Sequence, residues 1–100
     1  MIDWTRIEGF DWDVGNDRKN ADKHNVTQAE AEQVFFNEPL LAAEDVRHSH
    51  REPRFHALGH TDLDRLLHVT FTLRAQDSLI RVISARPMHR RERSRYEQER

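Results

Sequence analysis

Cysteine is absent from this chain of 100 residues, so disulfides and thiolate chemistry are closed to it; the usage fits a reducing cytoplasm. The three glycines are each isolated, which excludes a glycine-rich phosphate loop. No stretch approaches the ~18 apolar residues of a membrane-spanning helix. The opening MIDWTRIEGFDWD has no apolar core of a secretory signal, and none is expected. A strong excess of one charge is also lacking, and a net charge of −2 argues against a uniformly basic nucleic-acid binder. What remains is 36% hydrophobic and 34% charged, enough for one modest core. A single domain over residues 1–100 is expected, with 1–8 as an irregular lead-in.

Charge is unevenly spread along the chain. Residues 1–50 hold 5 Lys/Arg against 11 Asp/Glu, residues 51–80 hold 4 against 4, and residues 81–100 hold 7 against 3. Such asymmetry can gather an anion on one patch while the rest keeps the chain soluble, and it can equally offer a basic patch to an acidic partner.

The pattern predicts an α+β fold. Gly9–Trp12 suits a short edge strand. Asp13 can cap a first helix over Val14–His24, with Asn25 suited to the left-handed position after it. Thr27-Gln28-Ala29-Glu30 is a capping box opening a second helix. Ala31, Val34 and Phe35 lie at helical spacing on its core stripe, thickened by Phe36, and Pro39 ends it. Leu40–Asp45 reads weakly as a strand, and Val46–Pro53 as a polar loop. Arg54–Gly59, Leu66–Leu73 and Leu79–Arg86 alternate as strands, the first two joined by a turn at Thr61–Asp64. Pro87, lacking a ladder N–H, should end the last strand, and His89–Glu99 is rich in helix formers. The expected whole is an antiparallel meander of four to five strands, with two N-terminal helices and one C-terminal helix on one face.

The stretch Leu79–Glu99 brings Arg81, Arg86, Arg90, Arg91, Arg93 and Arg95 around one strand end and one helix start. Guanidinium groups fork onto phosphate oxygens, which suits an RNA backbone; a solvated helix face with ion pairs would use the same residues. Here the sequence resembles a known family. ISAR followed by RRERSRYE, preceded by GFDWD, Lys23-His24 before VTQAEAEQVFFNEP, and RFHALGHTDLDRLLHVTFT, is similar to the BrnT-type ribonuclease toxins of bacterial type II toxin–antitoxin pairs. The resemblance spans Ile7 to Tyr96. It implies a compact RelE-like fold, endoribonuclease activity and a bacterial cytoplasmic location. The implied partner is a cognate antitoxin, typically carrying a ribbon-helix-helix DNA-binding domain. A homodimer or a toxin–antitoxin heterotetramer would be compatible with it.

The polar side chains can support RNA cleavage without a cofactor: a base for the ribose 2′-OH, cations for the extra negative charge, and an acid for the leaving oxygen. Arg54 and His56 share a strand face. Arg81 and Arg86 stand near the two ends of the last strand, on opposite faces unless a bulge re-aims Arg86. Tyr96 lies on the final helix, and Lys23-His24 forms a second cluster. These seven are the catalytic candidates, with Arg47, His48, Arg90 and Arg91 as RNA-binding candidates. Lys23-His24 serves equally well as compensation of a helix dipole. Seven histidines invite a metal, yet His56 and His60 would sit ~13 Å apart on one strand and no ligand-type spacing recurs, so none is expected. The competing reading is a non-catalytic module whose basic helix docks on an acidic protein or on nucleic acid.

Overall fold

The computed structural model describes residues 2–13, 24–48 and 51–100. Five strands form one sheet: β1 (Gly9–Phe10), β2 (Leu41–Glu44), β3 (Arg54–His60), β4 (Leu66–Arg74) and β5 (Leu79–Pro87). Their order across the sheet is β1-β5-β4-β3-β2. Strands β2 to β5 pair antiparallel in succession, but β1 runs parallel to β5, with Gly9 opposite Leu79 and Phe10 opposite Ile80. The expected pure meander is therefore corrected to a mixed sheet. After β5 the chain departs as a helix, so the outer edge of β5 is left to the N-terminal segment. That segment enters from the Ser78 end, where Glu8 N donates to Ser78 O (2.7 Å) and Asp11 N to Ile80 O (2.8 Å).

The helix count is corrected as well. Among the described residues there are two α-helices, α1 (Gln28–Gln33) in the middle of the chain and α2 (Arg90–Glu99) at its end, not two N-terminal helices and one C-terminal. The expected helix over 14–24 lies outside the described residues except for His24. Asn25 does take the left-handed conformation, at φ 54°. The capping box forms as read: Thr27 Oγ1 accepts from Glu30 N, and Glu30 Oε1 accepts from Thr27 N, both at 3.1 Å. The helix then tightens into a 3-10 turn, Val34–Phe36, and the chain is extended again at Asn37.

One sheet face builds the core from Phe55, Ala57, Leu67, Val69, Phe71, Ile80, Val82 and Ala85, covered by Val26, Ala31 and Val34. Phe71 is its centre, with Phe35 edge-on at 5.1 Å and Phe55 stacked at 5.4 Å. The turn after α1 presses so close to β3 that a Cβ on Gly59 would stand 2.9 Å from Val34 Cβ, which is why no side chain fits there. Helix α2 crosses the opposite face near the β2–β3–β4 end, not the α1 face as expected. Tyr96 anchors it, fully buried, donating its hydroxyl to Pro39 O (2.6 Å) and accepting from His60 Nδ1 (2.7 Å).

Strand β5 carries a bulge that sequence alternation alone does not reveal. Thr70 pairs with Ser84 and Phe71 with Val82, leaving Ile83 as an extra residue. Strict alternation put Ser84 with Ile80 and Val82, and Ala85 with Arg81. Past the bulge the parity reverses: Ala85 joins the core, and Ser84 and Arg86 turn to the face that already holds Arg81.

Candidate active site

The reversal at Ile83 organises the face away from the core. Three cross-strand rows result from the register: Arg54–Thr72–Arg81, His56–Thr70–Ser84 and Leu58–His68–Arg86. Four catalytic candidates, Arg54, His56, Arg81 and Arg86, thus share one surface. They do not all meet. Arg81 bonds Asp13 and reaches Asp11 Oδ2 at 3.4 Å, at the far end of the face.

At the other end, α2 leans over the sheet and closes a hollow of about 330 Å³. Leu41, Ala42, Ala43 and Leu58 give it an apolar wall; His56 and His68 form its floor; Arg91, Glu92 and Arg95 descend from α2. The two imidazoles lie with ring centroids 4.9 Å apart. His56 Nε2 meets Asp45 Oδ2 at 2.7 Å and its Nδ1 meets Thr70 Oγ1 at 3.0 Å. Asp45 also receives His48 Nδ1 at 2.8 Å. Burial pushes the Asp45 carboxyl upward, but the hydrogen bonds from His56 and His48 outweigh it and hold the group at about 2. An ionised carboxylate only accepts, so His56 Nε2 carries hydrogen and Nδ1 faces Thr70.

His68 differs from its neighbour. Burial, then the Arg86 charge, lowers it to about 4, which keeps it neutral at ordinary pH. Its Nδ1 is buried without a hydrogen-bond partner. Glu92 lies 3.9 Å from its Nε2, too far for a hydrogen bond. That carboxylate instead grips both terminal nitrogens of Arg86 (2.8 and 2.9 Å) and accepts from His89 N (2.7 Å). Burial opposes ionisation of Glu92, yet these bonds bring it down to about 2. Arg91 and Arg95 form no hydrogen bond or ion pair among the described residues, so two guanidinium groups beside the hollow are free for a ligand.

The remaining candidates lie elsewhere. Lys23 is outside the described residues. His24 is beside the β3–β4 turn, where its carbonyl accepts from Arg65 at 3.5 Å, and it does not line the hollow. Tyr96 is committed to Pro39 and His60 inside the protein. Arg47 and Arg90 are exposed outside the hollow, and His48 touches it only through Asp45. Sequence reading missed Asp45, His68, Thr70 and Glu92 as site residues and left Arg95 out of its RNA-binding set. The hairpin register decides two of them: a loop over Thr61–Arg65 places Leu66 opposite His60, and so sets Thr70 across from His56 and His68 across from Leu58. The expected turn at Thr61–Asp64 would have set Val69 across from His56. No group of three or more histidines and carboxylates suited to a metal ion occurs among the described residues.

A family model described as the ribonuclease toxin BrnT of type II toxin–antitoxin systems matches residues 12–92. The chain belongs to this family. A search of curated proteins finds no match. Membership of the BrnT family carries ribonuclease activity and a cognate antitoxin at the family level, and the matched span contains β2 to β5, the hollow's imidazoles, and Arg91 and Glu92 of α2. No described helix is long and apolar enough to cross a membrane.

Proposed function

We propose that this chain is an endoribonuclease that cuts RNA by attack of a ribose 2′-OH on the adjacent phosphorus, without a metal, and that a cognate antitoxin silences it. The observation that carries the reading is the meeting, in one hollow, of an Asp-backed histidine and two arginines with no carboxylate partner among the described residues. Arg91 and Arg95 take the phosphate and offset its growing charge. His56, oriented by Asp45, exchanges its Thr70 contact for the 2′-OH and removes the proton from it at Nδ1. As the P–O5′ bond breaks, the same imidazolium returns that proton to the 5′-oxygen, leaving a 2′,3′-cyclic phosphate and a free 5′-OH. Arg86, gripped by Glu92, adds fixed positive potential at the hollow's edge. The antitoxin's ribbon-helix-helix domain and a heterotetrameric assembly belong to the same proposal, as does action in the cytoplasm.

The test is turnover of single-stranded RNA by the purified chain. Cleavage should leave a cyclic phosphate, persist in chelator, and stop when the scissile ribose is 2′-deoxy. Arg91→Ala with Arg95→Ala should lower the rate by about 10²-fold or more, as expected for losing charged hydrogen bonds to a phosphate. Binding of RNA without any cleavage would leave only the non-catalytic module, for which the His56–Asp45 pair has no use.

A further inference from the structure

We propose that a second cavity, on the core side of the sheet, docks a basic amphipathic segment of a partner protein, which in a toxin–antitoxin pair is the antitoxin. The partner's identity rests on the reading above; the chemistry of the surface does not. The cavity holds about 580 Å³ and is lined chiefly by Trp4, Ile7, Phe10, Phe35, Phe36 and Leu40. Its aromatic rings are packed against one another, with Trp4–Phe35 and Phe10–Phe36 centroids each 6.2 Å apart. Yet Phe36 is 76% exposed and Trp4 41% exposed.

Phe36 is outside because the helix tightens at Val34. Val34 is fully buried, Phe35 half-buried and Phe36 turned to solvent, whereas an unbroken α-helix was expected to add Phe36 to the core stripe. An exposed phenyl ring beside an open aromatic groove invites a protein ligand.

Charge selects which one. Glu8 and Glu38 belong to the lining, both exposed, and neither meets a cation among the described residues. Two unneutralised carboxylates beside aromatic faces repel a phosphate backbone. They attract an apolar anchor flanked by lysine or arginine, through ion pairing and cation–π contact. RNA and the partner are thereby sorted to opposite sides of the sheet. Docking in this groove leaves the His56 hollow open, so holding the partner and blocking the nuclease site are separable tasks.

The experiment uses the antitoxin encoded beside this chain, purified and titrated calorimetrically into the full-length protein. Glu8→Lys with Glu38→Lys should weaken binding at least tenfold, and adding Phe36→Ser should weaken it further, while RNA cleavage by the chain alone is unchanged. All three positions are exposed, and unaltered thermal unfolding of the two-site variant certifies its fold. Wild-type affinity in both variants would overturn the proposal. So would a wild-type chain that dimerises alone and becomes monomeric in the variants, since the groove would then hold a second copy. Loss of antitoxin binding in a chain that never cleaves RNA would sink the nuclease reading and leave the docking site standing.

Discussion

Two concavities on opposite sides of one sheet are made of opposite materials. Among the described residues, the hollow under α2 sets imidazoles and arginines without an ion partner on an apolar wall, and the groove beside β1 sets aromatic rings among carboxylates without one. The first suits a polyanion and proton transfer, the second a cationic apolar segment. The difference teaches that a net charge of −2 says little about partners in a chain this small. What matters is which side of the sheet each charge reaches, and that is set by strand parity.

The most drastic way to break the contrast is to put a charge on the wrong face, with Val82→Arg at a fully buried position of β5. Deleting Ile83 would not do so, because Val82 followed directly by Ser84 restores strict alternation with Ile80, Val82 and Ala85 still inward and Arg86 still outward. Burying an unpaired guanidinium costs several kcal/mol, so Val82→Arg should be unfolded by circular dichroism, whereas the Ile83 deletion variant should fold. Ile83→Ala, which keeps the residue count, should cost only about 1 kcal/mol in denaturant titration. An unfolded deletion variant would show that the facing of β5 needs the bulge itself and not parity alone.

Next in size is His56→Ala, expected to slow RNA cleavage by about 10²-fold or more, as for loss of a general acid–base group. Phe36→Ser, in the groove, should leave the rate within about twofold, as for an exposed position remote from chemistry. Equal losses in both would mean that the two concavities act as one site.

Acid should act on the hollow before it dissolves the fold. His68 is held at about 4, below the ordinary histidine value, so the unfolded chain binds a proton where the folded one does not. Stability is then complete above the unfolded value of ~6.5 and falls as pH drops towards about 4, by at most about 3 kcal/mol. Glu92 and Asp45, held at about 2, lose their contributions in a later stage, as pH falls from the usual carboxylate range towards 2. His68→Leu should abolish the early stage in urea titrations across pH; an unchanged profile would contradict the burial argument.

The smallest effect separates Tyr96 from the site. Tyr96→Phe leaves the Pro39 carbonyl and His60 Nδ1 without their partner and should cost about 1–3 kcal/mol of stability. Its rate per folded molecule should match the wild type. A lowered rate with unchanged stability would return Tyr96 to the catalytic set.

Much of this architecture was legible because it is local. The Thr27–Glu30 box, the alternation of Leu67, Val69 and Phe71, and the stop at Pro87 each follow from neighbouring residues, and each is found. The lining of the hollow was legible in part. The strand face pointed to His56 and the arginine run to Arg91, and both line the hollow. Asp45 was read as a strand-end residue, because its approach to His56 depends on how β2 docks beside β3. For His68, strand alternation announces only an outward facing, because what covers it comes from α2. Phe36 was assigned inward because helical spacing was extended through a turn that tightens.

The chain's own order of residues determined where strands and helices begin and stop, since caps, prolines and alternation act within a few residues. Only the folded arrangement decided which arginines are free, which histidine is neutral and which phenylalanine is exposed. Those properties depend on desolvation and on ion partners up to 70 residues away, as in the pairing of Arg81 with Asp11. One extra residue in β5 converts local alternation into a new facing, and no periodicity can announce it. The cross-strand partner sets it.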